Sequence, residues 1–305
     1  MPNKAELKVA DRKIQVSNLD KVLYPKVGFT KGQVIDYYIR IAPVLLPHLK
    51  DRPLTMKRYP DGVEGEFFYE KNCPTHRPKW VQTAKVWSEG NQRIMDYCLV
   101  NDLPTLVWAA NLADLELHTS LSRKNKIERP TMMVFDLDPG APADIIQCCQ
   151  VGLWLRDLFG EMKMKSFAKT SGSKGLQVYV PLNTAVTYDQ TKDLSRALAQ
   201  YLEREHIHLV TSNMSKAMRK GKVFVDWSQN DEHKTTICVY SLRAKVEPTV
   251  STPVTWDEVE NCLKKKKADL LKFRTDQVLA RVDKLGDLFG PVEKLKQKLP
   301  KKWKV

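Results

Sequence analysis

The chain has 305 residues, 42% of them hydrophobic, and a net charge of +14. No window approaches 18 uninterrupted apolar residues, so no membrane span is expected, and the opening "MPNKAELKVADRK" lacks the apolar core of a signal peptide, so the expected location is cytoplasmic. The charge is concentrated late: residues 261–305 hold 14 Lys/Arg against 5 Asp/Glu, which is +9 of the +14, and this suits either a polyanionic partner or a solvated surface.

In chain order, "TKGQVIDYYIRIAPVLL" (30–46) opens with a T-x-x-Q capping box, and Val34, Ile35, Tyr38, Ile41, Ala42 and Leu45 follow at helical spacing. Residues 58–80 are rich in Gly, Pro and charge and read as a loop, with Phe67–Phe68 at a tip or short strand. Residues 95–121 are mostly apolar and end in "LELHTSL". "TMMVFDLDPG" (131–140) reads as a buried strand that runs into two aspartates. "ADIIQCCQVGLWLRDLFG" is an amphipathic helix closed by Gly160. "KSFAKTSGSKGLQVYVPL" is a strand, a Ser/Gly turn and a second strand, with Leu176, Val178 and Val180 on one face and Gln177 and Tyr179 on the other. Thr187 and Gln190 form another capping box before a helix with the stripe Leu194, Ala197, Leu198, Tyr201 and Leu202. "KVFVDWS" (222–228) is a short strand ending in Asp226, and "TTICVYSLRAK" a strand entering a basic loop. Alternating strands and helices predict a mixed α/β or α+β architecture. The six cysteines form no C-x-x-C pair, so neither a structural zinc site nor a disulfide framework is expected.

Three features carry chemistry. Alternate residues of a strand share a face about 6.5 Å apart, so Asp136 and Asp138 stand side by side and repel unless a cation lies between them. Oxygen ligands of this kind suit Mg²⁺ or Mn²⁺; the bland reading is a pair of loop or cap carboxylates. "TSGSKG" (170–175) offers the hydroxyls of Ser171 and Ser173, two glycines that admit an anion and the charge of Lys174, a composition suited to phosphate without the spacing of a P-loop. Asp226 repeats the strand-then-aspartate pattern. Three carboxylates, a phosphate turn and a basic surface are the equipment of two-metal nucleotidyl transfer. A haloacid-dehalogenase-type phosphatase also begins with an apolar run and D-x-D, but has Thr or Val where Gly140 stands.

In this order the motifs are familiar. "SNLDKVLYP", "TKGQVIDYYIRIAPVLLPHL", "DGVEGEFFYEKN", "FDLDPG", "TSGSKGLQVYVPL", "VFVDWSQN" and "YSLRAK" resemble the polymerase domain of bacterial DNA ligase D, within the archaeo-eukaryotic primase superfamily, over nearly the whole chain. The resemblance implies an α+β primase fold, an RRM-like catalytic sheet interwoven with a second sheet and flanked by helices. It implies one primase-polymerase unit over 1–295, with 1–125 carrying a 5′-phosphate pocket and template contacts, 126–295 catalytic, and 296–305 a basic tail. The implied activity is template-dependent polymerisation at breaks and gaps in non-homologous end joining, with ribonucleotides preferred and Mn²⁺ or Mg²⁺ as a two-metal cofactor. Implied partners are gapped or overhanging DNA with a 5′-phosphate, NTP or dNTP, Ku and a DNA ligase, in the prokaryotic nucleoid.

Carried over by motif, Asp136, Asp138 and Asp226 are metal ligands. Ser171, Ser173, Lys174, Gln177 and Arg243 bind the nucleotide, and His118 lies beside it. Asn18, Lys21 and Lys31 match the 5′-phosphate pocket, Phe67 and Phe68 the template-stacking segment, and Lys216 and Arg219 the loop that approaches the primer. Two positions depart from the family: Gln177 replaces the histidine of "GLHVYVPL", and Gln229 a basic residue after the third aspartate. Each removes a group that can be cationic near the phosphates. A non-catalytic module that binds and bridges DNA ends is therefore the alternative.

Overall fold

The computed structural model describes residues 4–300. The chain alternates between two compact units. The first comprises the described residues up to Asn125 with Thr235–Val250 and Arg274–Asp287; the second comprises Lys126–Lys234, Ser251–Phe273 and the described residues from Leu288. The expected tail, 296–305, is described only to 300, and Gln297 fastens its start to the second unit by donating to Pro181 O at 2.9 Å and Lys165 O at 3.0 Å. Residues 301–305 lie outside the described residues.

In the second unit, six strands run in the order Val210–Thr211, Val223–Asp226, Met132–Pro139, Leu176–Pro181, Phe167–Thr170 and Pro253–Val254. All neighbours are antiparallel except the first pair. Period-2 alternation sorts their side chains. Met133, Phe135, Leu137, Leu176, Val178, Val180, Val223 and Val225 join one buried cluster with Cys148, Val151, Leu155, Phe159, Leu194 and Leu198 from two helices. Those helices, Ile145–Glu161 and Tyr188–Glu205, thus cover one face, and Asp136, Asp138, Gln177 and Asp226 fall on the other by parity. Both helices start as the sequence dictates, Asp144–Gln147 and Thr187–Gln190 forming reciprocal capping boxes. Gly160 does not close its helix, which continues through Glu161; Lys163 beyond it takes φ 58°.

In the first unit, the sheet runs Thr236–Ile237, Asp114–Thr119, Leu54–Arg58, Arg93–Cys98 and Thr83–Ser88, and Phe68–Glu70 also pairs with Leu54–Arg58. The capping box at Thr30 starts the helix Lys31–Leu49, which packs on Leu103–Asn111 and runs past 46 despite Pro43 and Pro47. "TTICVYSLRAK" is not one strand. Only Thr236–Ile237 is extended in the sheet, and Tyr240 takes φ 63° before the segment reaches Arg243. The cysteine expectation is corrected too: Cys73 and Cys98 form a disulfide, Cα–Cα 5.0 Å. They are 25 apart in sequence, but Cys73 N donates to Asp96 O at 2.6 Å and Asn72 Oδ1 accepts from Asp96 N at 2.9 Å. The loop is thereby laid along the strand that carries Cys98, a proximity with no signature in spacing. Among the described residues no helix is long and apolar enough to cross a membrane.

Candidate active site

The strand Met132–Pro139 delivers Asp136 and Asp138, and its neighbour delivers Asp226 directly opposite Asp136 in the ladder. Residues so paired have Cα atoms roughly 4.5–5.5 Å apart, so three carboxylates share one patch. The Asp136 Oδ1 atom is shut off from solvent and accepts no hydrogen bond. Burial above all, then the charges of Asp138 and Asp226, push the Asp136 carboxyl up to about 7. Asp226 is differently placed. Its Oδ1 accepts from Ser228 N at 3.0 Å and Ser228 Oγ at 2.6 Å, and its Oδ2 from Gln229 Nε2 at 2.9 Å. Gln229 therefore rests on the third aspartate, which itself caps the short turn Trp227–Gln229 by accepting from Ser228 N.

Gln177 lies opposite Asp136 on the next strand and is only 2% exposed. Its side chain hydrogen-bonds Asp136, while its Oε1 accepts from Lys169 Nζ at 2.6 Å. Lys169 was not singled out from sequence. It is 1% exposed, donates also to Ser251 Oγ at 2.7 Å, and stands 5.4 Å from the Tyr179 ring centre. With Lys169 occupying Oε1, the amide NH₂ is the end of Gln177 left to donate to the carboxylate. A signal existed: a lysine in the strand context "SFAKT" must find partners once buried.

The Ser/Gly turn is built by its own residues. Ser171 Oγ accepts from Ser173 N at 3.2 Å and Gly175 N at 3.1 Å, so this buried hydroxyl closes the turn. Ser173 and Lys174 are exposed. Gly175 is required: a Cβ there would come 2.2 Å from Leu137 O and 3.6 Å from Asp138 Oδ1, so only glycine brings the turn this close to the aspartate strand. Gly140 likewise has no room, since a Cβ would meet Arg219 O at 1.9 Å. Arg219 stacks over Phe224 at 3.7 Å and donates to Met214 O at 2.9 Å, whereas Lys216 is exposed.

His118 and Arg243 belong to the first unit, where a further residue that the sequence reading passed over organises them. Glu116, 1% exposed, accepts hydrogen bonds from His118 Nε2 at 3.0 Å and Ala244 N at 3.0 Å, and forms ion pairs with Arg243, its Nε at 3.2 Å, and Lys57, its Nζ at 3.7 Å. Burial works to raise its pKa, but these partners prevail and hold the carboxyl well below its usual range. Glu116 and His118 are two apart in "LELHTS" and so share a strand face, which the sequence could have disclosed. Lys57 also lies 4.1 Å from the Phe67 ring centre and Arg58 5.0 Å from that of Phe68; both phenylalanines are exposed. Lys31 is buried with Nζ donating to Ser17 O at 2.7 Å, and burial with the nearby charges of Lys21 and Arg58 pushes it down to about 8. Lys21 is more open and bonds Asp61 at 2.7 Å; Asn18 takes φ 55° and accepts Lys21 N at 3.0 Å.

Among the described residues no three His, Cys, Asp or Glu side chains are already gathered as metal ligands. The bare Asp136 Oδ1, beside the like charges of Asp138 and Asp226, nonetheless fits a hard divalent cation, which supplies the missing partner and relieves the repulsion as it displaces the proton that the raised carboxyl holds.

Residues 30–289 match the family described as "LigD, primase-polymerase domain". The chain is 40% identical over 283 residues to the multifunctional non-homologous end joining protein LigD of Mycolicibacterium smegmatis, which covers 92% of this chain and 36% of that protein. It is 34% identical over 275 residues to the bifunctional non-homologous end joining protein LigD of Bacillus subtilis, 90% of this chain and 43% of that protein. The chain thus spans less than half the length of these relatives. It is also similar to the solved polymerase domain of Mycobacterium tuberculosis ligase D in complex with DNA, with a TM-score of 0.85 and 38% identity over 93% of this chain and 99% of that one.

Proposed function

The chain belongs to the LigD primase-polymerase domain family, and from that premise we propose that it is a template-dependent nucleotidyltransferase that extends primers and fills gaps at DNA breaks. The observation that carries this reading is the Asp136 carboxylate, bare at Oδ1 and opposite Asp226. Asp136, Asp138 and Asp226 would hold two Mn²⁺ or Mg²⁺ ions. Held by these carboxylates, such ions would supply activation of the primer 3′-hydroxyl and neutralisation of the triphosphate. Ser173 and Lys174, on the turn that Ser171 closes, bind its phosphates. His118 and Arg243, oriented by Glu116, also contact the nucleotide. Lys21 and Lys31 with Asn18 take the 5′-phosphate of the downstream strand, Phe67 and Phe68 stack on template bases, and Lys216 with Arg219 contacts the primer. Ribonucleotides are the preferred substrate, and Ku and a DNA ligase are the partners.

The second reading, a DNA-end-binding module without catalysis, has one observation in its favour: both oxygens of Asp226 already accept hydrogen bonds. One experiment separates them. With Mn²⁺ and either NTPs or dNTPs, extension is measured on gapped, 5′-phosphorylated DNA, on its 5′-hydroxyl counterpart and on unprimed single strands. The catalytic reading expects extension of the phosphorylated gap, lost by about a thousandfold or more in Asp136→Ala and Asp138→Ala, with DNA affinity nearly intact because basic residues supply it. DNA binding without extension by the wild-type protein establishes the second reading.

A further inference from the structure

We propose that Lys234 is a positioning residue for nucleotidyl transfer: through Ser228 it fixes the Asp226 carboxylate and leaves it to bind a divalent cation by Oδ2 alone. The inference deepens the catalytic reading and rests on it.

Three side chains of the second unit form a relay. The Lys234 ammonium donates to Ser228 Oγ, and Ser228 Oγ donates to Asp226 Oδ1 at 2.6 Å. A serine hydroxyl has one proton and two lone pairs, and an ammonium can only donate. Lys234 therefore takes a lone pair of Ser228, and the single Ser228 proton is kept on the carboxylate side. The separation of 2.6 Å is that of a hydroxyl bonded to an ionised oxygen. Ser228 N at 3.0 Å answers the second lone pair of Oδ1, and Gln229 Nε2 at 2.9 Å answers one of Oδ2. A carboxylate offers about four acceptor sites. With these bonds in place the site still open is on Oδ2, so the hydrogen bonds that favour the non-catalytic reading leave room for one ligand bond.

The loop itself places the ammonium. Asn230, buried, accepts from Val134 N at 2.9 Å and donates to Val134 O at 2.7 Å, on the strand that carries Asp136. Asp231 accepts from Lys192 Nζ at 2.6 Å, on the helix Tyr188–Glu205, and its backbone O accepts from Lys234 N at 3.1 Å. Pinned to strand and helix in turn, the chain comes back over Ser228 at Lys234. There the lysine is half-buried and, among the described residues, forms no ion pair. The carboxylate nearest in sequence on the pinned side, Asp231, already belongs to Lys192. The Lys234 charge is thus directed at a hydroxyl, one hydrogen bond removed from Asp226.

The test uses the full chain. Mn²⁺ binding without DNA or nucleotide is read from the spin-resonance signal of free Mn²⁺, and extension of a phosphorylated gap is followed in parallel. Lys234→Met is expected to weaken Mn²⁺ binding by about tenfold, as for one hydrogen bond to a charged group. Ser228→Ala should do the same. Because Lys234 acts through Ser228, adding Lys234→Met to Ser228→Ala should cost less than about a further twofold. Lys234→Arg, which can still donate to Ser228 Oγ, should recover most of the affinity. In extension, the Mn²⁺ concentration for half-maximal rate should rise by the same factor, with DNA affinity and nucleotide KM unchanged. The proposal is overturned if Lys234→Met leaves Mn²⁺ binding unchanged or tightens it, the result expected of a cation that only repels the metal. It is also overturned if the loss is as large without the Ser228 hydroxyl as with it. A loss that falls on nucleotide KM or DNA affinity would overturn it too, making Lys234 a phosphate contact. A wild-type protein that neither binds Mn²⁺ nor extends a primer would instead sink the catalytic reading itself. Methionine keeps the length of the lysine stem, and Asn230 and the Asp231–Lys192 pair hold the loop without the ammonium, so the variants should fold.

Discussion

Two carboxylates, one in each unit, have opposite fates. Glu116 is enclosed by an imidazole, a guanidinium, an ammonium and a backbone N–H, and its carboxyl is held far down. Asp136 faces two other carboxylates with one amide donor, and its carboxyl is pushed up to about 7. Burial penalises both charges; the partners decide the sign. A carboxylate with every lone pair answered belongs to the architecture. One left short of partners in a fold that could have supplied them is kept for something that arrives later.

The contrast breaks most readily at the carboxylates themselves. Glu116→Gln should strand His118, Arg243 and Lys57 beside a neutral side chain and cost about 3 kcal/mol, as for a broken buried ion pair. Asp136→Asn removes a repelling charge and keeps the shape, so the metal-free protein should gain about 1 kcal/mol while losing extension. Denaturant melts of the two variants measure both. If the two changes shift stability in the same direction, the assigned difference between the sites is wrong.

Acid and metal sharpen the comparison at a smaller scale. Native Asp136 keeps its proton up to about pH 7, whereas the unfolded chain releases it near pH 4. Across that window the native state binds more protons, so the contribution of Asp136 to stability is present at low pH and is lost as pH rises towards 7. Glu116 works in the opposite sense: its contribution is present above the unfolded carboxylate range and is lost on acidification. Mn²⁺ needs the Asp136 proton gone, so it should raise the melting temperature more at pH 8 than at pH 5.5. Asp136→Asn should abolish that pH-dependent gain, and Glu116→Gln should leave it in place.

Local chemistry was legible in the sequence, and distant pairing was not. The boxes at Thr30 and Thr187 and the apolar run into Asp136 act within a few residues, and the structure builds each as read. The composition of the turn points to Ser171 as a phosphate ligand, yet its hydroxyl closes the turn, a role visible only once the N–H groups of residues 173 and 175 are placed. Lys169, the Cys73–Cys98 bridge and the return of Thr235–Val250 to the first unit depend on neighbours 25 to 82 residues away or on the path of the whole chain. No periodicity encodes those. The two glutamines that replace basic residues show the same limit. They read as lost charges near a phosphate, and in space each leans on an aspartate instead.

That placement sets the last and smallest expectation, for Gln177→His. From sequence alone, a histidine here should be protonated beside a triphosphate and lower the nucleotide KM by about tenfold or more. The structure opposes this. The side chain at 177 must accept from the Lys169 ammonium at 2.6 Å and donate to Asp136 at once. A neutral imidazole can do both, one nitrogen accepting and the other donating, but a protonated one has no lone pair for Lys169. At 2% exposure the position also has little opening towards a nucleotide. Gln177→His should therefore change the nucleotide KM by less than about threefold between pH 6 and 8. Any loss should fall on kcat and grow at the acid end, where protonation would cost the Lys169 bond. Gln177→Leu, which can neither accept nor donate, should lower kcat at every pH by about tenfold, the worth of one hydrogen bond to a charged group. Steady-state kinetics of the three proteins across that range decide the matter. A tenfold fall in KM for the histidine variant that fades as pH rises would return residue 177 to the triphosphate and detach it from Asp136.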